Sequence, residues 1–335
     1  MSGLQTDVTL DKFNTLRLKS ITKAYIKLEA ITELDEIAEL CKKYPKFFVL
    51  GGGSNLILPE YYEGLVIHNH LKGITIDLID HEYKTVTAMA GENWDEFVAF
   101  CCNNGAHGLE NLSLIPGTVG ASPIQNIGAY GVEAKDFIDY VTVFDLTTKS
   151  IKKLNNASCK FSYRNSYLKN NQQYIVISVT FRLSSKAKLN ISYGDIATQM
   201  AMIETHTPQD LRNCIIKTRQ SKLPNPAEIG NVGSFFHNPI IATNEAENLR
   251  SKYPDLPIYN LEDKDHKKIS AGWLIDKLGL KGYRIGNVGV YPKQALVLVN
   301  YEPASKIDIL ALAETIKEKV ASNYGVTLNI EPIIL

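Results

Sequence analysis

The chain has 335 residues, and 44% of them are hydrophobic, which is enough to bury the cores of two or three domains. Its 36 basic and 36 acidic side chains cancel, so the charge balance argues against a nucleic-acid or anionic-membrane partner. The sequence contains no apolar run long enough to span a membrane, no secretory leader and no CxxC pair among five cysteines, so we expect a cytoplasmic protein with reduced thiols.

The first part of the chain is predicted to be an extended segment followed by a helix. Thr32 is the expected N-cap of this helix, with Asp35 three residues later, and Pro45 ends it. Its apolar face consists of Leu34, Ile37, Ala38 and Cys41. A short buried strand, FFVL at 47–50, then leads into the glycine-rich stretch GGGSN.

Strand-like runs between residues 65 and 90 precede a second helix that begins near Asn93, with Glu96 as its capping partner. Residues 106–131 form a loop of unusual length, rich in Gly, Pro and Asn. A loop of that length in a compact domain is usually functional or disordered, and its apolar content argues against disorder. We therefore expect a functional loop.

The remaining elements alternate without a strict strand–helix order. Strands are predicted at 138–146, 174–183, 294–300 and 326–334. Helices are predicted from Pro208 to near Pro224, over 270–279 and from Ser305 to about Asn323. This mixture indicates an α+β fold.

Two glycine-rich stretches are the strongest candidates for ligand binding. GGGSN at 51–55 matches neither a P-loop nor a dinucleotide fingerprint, so by itself it fits a tight turn as well as a phosphate cradle. IPGTVGASPIQNIGAYG, ending at Gly131, carries four glycines in all and amide side chains that could reach a polar ring, although a structural loop would also fit. Together they suggest a large, flat, phosphate-bearing cofactor.

Four isolated polar residues are candidates for chemistry, each with an ordinary structural alternative. Arg164 lies between aromatic residues and could bind a carboxylate with both nitrogens, and Lys222 precedes two prolines at a helix end. Ser234 follows Gly233 in GNVGSFFHNP without a hydrolase elbow, and Glu331 is the lone acid of the last apolar segment. The H-x-x-H and H-E-x-x-H patterns are missing, so we predict no metal site.

In chain order, these motifs resemble the UDP-N-acetylenolpyruvoylglucosamine reductase (MurB) family over nearly the whole sequence. The motifs are FNT, LGGGSNL, SLIPGTVGASPIQNIGAYG, YRNS, YGD, KLPNP, GSFFHNP, AGWLIDKLGLKG, QALVLVN and GVTLNIE. YGD at 193–195 and SPIQNIGAYG resemble the subclass with an extra loop over the substrate. Each motif alone is only modestly specific, but the occurrence of all of them in this order makes the resemblance highly specific.

The resemblance implies a PCMH/VAO-type FAD-binding fold with a separate α+β substrate-binding domain. Residues 1–70 would form a first FAD-binding subdomain that pairs with 324–335, residues 71–219 a second, and residues 220–323 the substrate-binding domain. It also implies non-covalent FAD, NADPH as co-substrate, a UDP-sugar substrate of peptidoglycan synthesis, and a monomer.

The family pattern also assigns residues by position. Ser234 would donate a proton, with Arg164 and Glu331 as the other catalytic residues. The substrate would be bound by Tyr193, Lys222, Asn238 and Gln294. The cofactor would contact Gly51, Gly52, Gly53, Ser54, Asn55, Pro116, Gly117, Thr118, Gly120, Ser122, Gln125, Asn126, Gly128, Ala129 and Tyr130.

Two departures from the family pattern lie beside the substrate region. The family commonly has Lys where His237 stands and His near Tyr291-Pro292, which bears on substrate affinity and pH dependence. Two other functions compete: an oxidase of the same fold, which would usually hold FAD through His or Cys, and a nucleotide-sugar-binding protein without turnover.

Overall fold

The structure, a computed structural model, describes residues 3–335 and has the predicted α+β composition. Its helices are α1 Leu34–Lys43, α2 Trp94–Asn103, α3 Gly194–Met200, α4 Pro208–Lys222, α5 Thr243–Lys252, α6 Ala271–Lys277 and α7 Lys306–Tyr324. Its strands are β1 Gln5–Thr9, β2 Ile21–Leu28, β3 Phe47–Leu50, β4 Leu56–Ile57, β5 Tyr61–Asn69, β6 Ile74–Leu78, β7 Tyr83–Met89, β8 Gly128–Ala129, β9 Val132–Glu133, β10 Ile138–Asp145, β11 Ser150–Asn155, β12 Tyr174–Ser184, β13 Gly230–Ser234, β14 Ile240–Ala242, β15 Ile258–Asn260, β16 His266–Ile269, β17 Arg284–Ile285, β18 Val288–Val290, β19 Val297–Asn300 and β20 Ile333–Ile334.

The chain divides into two compact units. The first comprises residues up to Val8, Thr22–Gly53 and Glu63–Ser221, and the second comprises Thr9–Ile21, Ser54–Tyr62 and Lys222–Leu335. Because each unit is assembled from separate segments, neither is a continuous stretch of sequence.

The first unit contains two larger sheets. One has the strand order β1-β2-β5-β3, in which β3 and β5 are parallel and Leu50 pairs with His68. The other has the order β11-β10-β12-β7-β6 and is antiparallel throughout. Helix α2 packs on this second sheet because its apolar face, with Trp94 and Phe97, meets Phe181 of β12 in a fully buried aromatic cluster.

The second unit is built on one four-stranded sheet, β13-β19-β18-β17, and a three-stranded sheet, β14-β16-β15. Helix α7 lies in its core, where Ile309, Leu312 and Ile316 are fully buried. The parallel pair formed by β4 and β20 joins an early segment to the chain terminus. An isolated β-bridge also pairs Ile330 of the last segment with Phe236, which follows β13.

The predicted helices are confirmed, with one wrong cap. Asn93 caps α2 through its side-chain oxygen, which accepts the Glu96 amide at 3.1 Å, and Ser305 caps α7 in the same way. Thr32 is not a cap, because residues 31–33 form a 3₁₀ turn that continues directly into α1. The signal was misplaced because a preceding turn shifts the first free amides of a helix.

The predicted closing strand at 326–334 is wrong over most of its length. Only Ile333–Ile334 form a strand, with an isolated bridge at Ile330. An apolar run predicts burial but not a hydrogen-bonded partner, and Val326 and Leu328 are buried in the core instead. The long loop at 106–131 is confirmed, since it contains only 3₁₀ turns and part of a two-residue strand pair.

Over residues 3–335, all five cysteines are free thiols and no group of acidic, His and Cys side chains could hold a metal ion. Across the same residues, helices with the length and apolar character needed to cross a bilayer are absent.

Candidate functional site

The first glycine-rich loop lies directly against the second within the first unit. A Cβ atom on Gly51 would lie 2.6 Å from Thr118 Oγ1, and one on Gly52 would lie 2.7 Å from Gly117 Cα. Gly53 has φ +61°, a conformation that favours glycine. The two predicted ligand loops therefore meet at backbone distance, and only glycine permits that approach.

The second loop is fixed to the strand–helix junction before α2. The Trp94 amide donates to the Gly117 carbonyl at 3.1 Å, and the Val119 amide donates to the Glu92 carbonyl at 2.9 Å. The Gly120 amide donates to Ala90, whose Cβ would lie 2.5 Å from a Cβ on Gly120. Backbone hydrogen bonds therefore hold this loop against the strand–helix junction, although it has little regular structure.

These residues fit the diphosphate of a dinucleotide, such as the FAD that the resemblance implies. Glycine-rich turns at the end of a strand bring backbone amides to phosphate oxygens because no side chain stands in the way. Here a side chain on Gly52 would push the two loops apart at their contact. Among the predicted cofactor residues of the second loop, Pro116 is exposed, and Gln125 and Ala129 are half-buried.

Two predicted cofactor residues use their side chains within the loop itself. Asn126 is fully buried and its amide donates to Glu133 at 2.9 Å and to the Ser162 carbonyl at 3.1 Å. Ser122 is also fully buried and its hydroxyl donates to the Val119 carbonyl at 2.7 Å. Both side chains therefore hold the shape of the loop.

Arg164 reaches the same loop. Its Nη2 donates to the Gly128 carbonyl at 2.6 Å and its Nη1 to the Asn126 carbonyl at 3.3 Å. The guanidinium carbon lies 5.3 Å from the Tyr163 ring centre, and the backbone of Arg164 has φ +52°. An unusual backbone and two carbonyl contacts thus fix the direction of this cation.

The structure also brings Tyr193 and Tyr130 together, with ring centres 5.7 Å apart in a T-shaped arrangement. The family resemblance assigns Tyr193 to the substrate and Tyr130 to the cofactor. A cation that the sequence analysis missed, Arg219, is hydrogen-bonded to Tyr130, and burial lowers the pKa of its guanidinium. The missed signal is an arginine one residue after Thr218, which is buried on the apolar face of α4.

A histidine that the sequence analysis did not single out lies under the first glycine loop. His68 Nδ1 is 2.7 Å from the Tyr25 hydroxyl, and the imidazole is also hydrogen-bonded to the backbone of Gly51. The His70 ring packs against it at 4.1 Å between centres. Burial first, then His70 and Lys27, lowers the pKa of His68 to about 4.

This lowered pKa makes the stability of the protein sensitive to acid. Between about pH 6.5 and pH 4 the unfolded chain protonates this imidazole and the folded chain does not, so folding loses free energy as the pH falls. We expect wild type to lose more free energy of unfolding than His68→Gln between pH 7 and pH 4.5. Urea unfolding of both proteins at these pH values measures the difference, and parallel losses would contradict the assignment.

In the second unit, Ser234 stands at an irregular strand end. The register of β13 on β19 shifts between Asn231 and Ser234, and Gly233 has φ +71°. The buried Asn231 side chain accepts the Gly233 amide at 3.1 Å. This bulge leaves Ser234 exposed while Phe235 is buried in the core.

Glu331 lies beside the residue that follows this serine. Its amide donates to the carbonyl of Phe235, the residue after Ser234, at 3.0 Å. Its carboxylate is 3.5 Å from His237 Nδ1, and the Glu331 side chain is only 11% exposed. The structure thus brings together a predicted proton donor, a predicted catalytic carboxylate and the histidine that departs from the family pattern.

Two predicted substrate residues converge on the first turn of α6. Asn238 Oδ1 accepts the Ala271 amide at 3.0 Å. Gln294 Oε1 would lie 3.7 Å from a Cβ on Gly272 and accepts the Leu296 amide at 3.4 Å. Lys222, the third of the predicted substrate residues in this unit, is half-buried at the end of α4. Asn55, a predicted cofactor residue, also lies in this unit, where its carbonyl accepts the Ile333 amide.

Two family models match this chain. The model described as UDP-N-acetylenolpyruvoylglucosamine reductase, C-terminal domain, covers residues 225–335. The model described as FAD binding domain covers residues 22–153, which include both glycine-rich loops. The matches fall on the segments that carry the predicted catalytic serine and the predicted cofactor loops.

Several relatives that match over the full length of this chain are named UDP-N-acetylenolpyruvoylglucosamine reductase. The UDP-N-acetylenolpyruvoylglucosamine reductase of Bdellovibrio bacteriovorus is 45% identical over 98% of this chain and 99% of its own. That of Polynucleobacter asymbioticus is 42% identical over 100% and 97%. The crystal structure of the Thermus caldophilus enzyme aligns over 99% of both chains with a TM-score of 0.70 at 23% identity. The predicted α+β fold with a PCMH/VAO-type FAD-binding domain is confirmed.

Proposed function

Because the chain belongs to the UDP-N-acetylenolpyruvoylglucosamine reductase family, we propose that it reduces the enolpyruvyl ether of UDP-N-acetylglucosamine to UDP-N-acetylmuramate, a step of peptidoglycan precursor synthesis. NADPH is the proposed electron donor and FAD, held non-covalently, the carrier. Neither glycine loop contains a histidine for covalent attachment. The observation that carries the proposal is the exposed Ser234 hydroxyl, held by a glycine bulge beside the nearly buried Glu331.

FAD, held by the two glycine loops, would supply the redox chemistry, which is hydride transfer from NADPH to the terminal methylene carbon of the enol ether. Negative charge then develops on the adjacent carbon and spreads into the substrate carboxylate, and the protein must stabilise it as it forms. Ser234 donates a proton to that carbon. A hydroxyl is a weak acid, but a carbanion is a strong base and the bulge holds the donor in one direction.

Arg164 and Glu331 complete the proposed chemistry. Arg164 binds the substrate carboxylate with its planar fork, from a position fixed by the carbonyls of Gly128 and Asn126. An ionised Glu331 would repel the developing anion, so it acts as a protonated acid or shares its charge with a cation. His237, at 3.5 Å, is a side chain of the second unit that can provide that cation.

The remaining assignments are proposed from the family pattern. The UDP-sugar is bound by Tyr193, Lys222, Asn238 and Gln294, and FAD lies along the two glycine loops. We propose residues 1–70 with 324–335, and 71–219, as FAD-binding subdomains and 220–323 as the substrate-binding domain. We expect a monomer that works in the cytoplasm.

The visible spectrum of the purified protein tests the proposed function. We expect a yellow protein that bleaches when NADPH is added without oxygen and regains its colour when the UDP-enolpyruvyl sugar follows. A colourless protein would favour the binding-protein alternative. Flavin that stays with the protein after acid precipitation, together with rapid oxidation by oxygen, would favour a sugar or alcohol oxidase.

We expect Arg164→Lys to slow flavin reoxidation by the enolpyruvyl sugar about 10- to 100-fold, because an ammonium keeps the charge and loses the fork. Lysine also cannot contact the Gly128 and Asn126 carbonyls in the same way. Reduction of the flavin by NADPH should change little. Stopped-flow absorbance of the two half-reactions measures both effects.

Arg182→Lys is the matched control for this experiment. Arg182 also lies over a tyrosine ring, 4.2 Å from the centre of Tyr83, but on the exposed surface of β12. The same chemical change there should leave both half-reactions unchanged. Equal rates in wild type and Arg164→Lys would remove Arg164 from the proposed mechanism.

A further inference from the structure

A line of polar contacts crosses three neighbouring strands and ends on the first glycine loop. Tyr25 belongs to β2, His68 to β5, and Gly51 follows β3, and these strands are adjacent in the sheet order β1-β2-β5-β3. The Tyr25 hydroxyl contacts His68 Nδ1 at 2.7 Å, and His68 is hydrogen-bonded to the Gly51 backbone. The line therefore joins a buried hydroxyl to the first residue of the loop.

The register of the sheet explains why His68 reaches Gly51. Leu50, the last residue of β3, pairs in parallel with His68, so the chain leaves the sheet beside this imidazole. The loop also approaches the second loop so closely that a Cβ on Gly51 would lie 2.6 Å from Thr118 Oγ1 and one on Gly52 would lie 2.7 Å from Gly117 Cα. The position of the first glycine loop is thus set by two contacts, one with the His68 imidazole and one with the second loop.

We infer that His68 is a positioning residue for cofactor binding, which holds the first glycine loop against the second through the Gly51 carbonyl while Tyr25 orients its ring. The hydrogen bond to the Gly51 backbone raises the pKa of His68, so the imidazole N–H is its donor and the Gly51 carbonyl its acceptor. Nδ1 then accepts from the Tyr25 hydroxyl and Nε2–H faces the loop, the arrangement in which each partner fixes the tautomer.

The surroundings of the ring favour this neutral tautomer. Burial, the neighbouring His70 and Lys27 all disfavour a charged imidazolium at His68. Glu29 raises the pKa of both Tyr25 and His70. The pKa of the Tyr25 hydroxyl is raised by its burial, so it remains a donor at neutral pH. The inference rests on the proposed function, because it assumes that FAD is bound by the two glycine loops.

The test measures the affinity of the deflavinated protein for FAD by quenching of flavin fluorescence. We expect His68→Leu to raise the FAD Kd at least 10-fold, because the loop loses its donor. His68→Gln should recover most of the affinity, since its amide both donates and accepts. Tyr25→Phe, a milder change that keeps the ring, should raise the Kd a few-fold.

Thr22→Val is the matched structural control. Thr22 is a fully buried hydroxyl on β2 that donates to the Ala24 and Gly64 carbonyls and makes no contact with the loop in these hydrogen bonds. Like Tyr25→Phe, it removes one buried hydroxyl from the same strand. We expect it to lower the thermal stability and to leave the FAD Kd unchanged.

Each outcome decides the inference. A wild-type FAD Kd in both His68→Leu and Tyr25→Phe overturns it, and so does an equal rise in Kd for Thr22→Val. A Gly52→Ala variant measured alongside separates the role of His68 from the placement of FAD at the glycine loops. If Gly52→Ala loses FAD while the His68 and Tyr25 variants bind normally, only the role of His68 fails. If Gly52→Ala also binds normally, the placement of FAD at these loops fails.

Discussion

Ser234→Ala should leave NADPH-driven reduction of the flavin nearly intact and slow its reoxidation by the enolpyruvyl sugar about 1000-fold, the scale expected for loss of a positioned proton donor. Only the second half-reaction creates a carbanion that needs a proton. Anaerobic stopped-flow absorbance resolves the two half-reactions. The side chain of Ser234 is exposed at the strand bulge, so its loss leaves the buried core unchanged.

Ser251→Ala provides the control for this experiment. Ser251 is also an exposed serine of the second unit, and its hydroxyl donates to the Asn248 carbonyl within α5. Both half-reactions should proceed there at the wild-type rate. If Ser234→Ala slows both half-reactions equally, the serine has a structural role, and the proposed proton transfer is wrong.

Gly52→Ala should purify with little or no flavin and raise the FAD Kd about 100-fold, which corresponds to about 2.7 kcal/mol. The added Cβ would lie 2.7 Å from Gly117 Cα, and a backbone atom cannot move aside as the end of a side chain can. The loops must separate, so the phosphate-binding backbone loses its geometry. Fluorescence titration of the deflavinated protein measures the affinity.

The control must introduce a comparable steric conflict elsewhere. Gly230→Ala does so in the second unit, where the added Cβ would clash with the Leu16 carbonyl. We expect this variant to melt at a lower temperature and to bind FAD with the wild-type Kd. A loss of affinity in both variants would show that the Gly52 effect reflects general destabilisation and not the contact between the loops.

Much of the local structure was predictable because local signals and tertiary packing agree. Helix α2 has an N-cap at Asn93 and an apolar stripe that begins at Trp94, and both features survive in the fold. The prediction failed at the Thr32 cap and over most of the strand expected at 326–334. In those places a neighbouring turn or the absence of a partner strand decided the outcome, and a single-sequence pattern contains neither.

The candidate site was predictable in its residue types and less so in its contacts. The glycines at 51–53, 117 and 120 indicated loops that closely approach another group, but not that the two loops approach each other. The pairing of Glu331 with His237 joins residues 94 positions apart, and it depends on the bridge between Phe236 and Ile330. No periodicity in the sequence specifies that bridge.

By itself, the sequence determined the class of fold, the extents of most helices and the set of polar residues available for chemistry. These follow from capping, hydrophobic period and glycine placement, which act over a few residues. The tertiary structure decided which of those residues meet: Gly52 with Gly117, Tyr25 with His68, and Glu331 with His237. Such meetings depend on strand order and register, and these are set by burial summed over each whole unit.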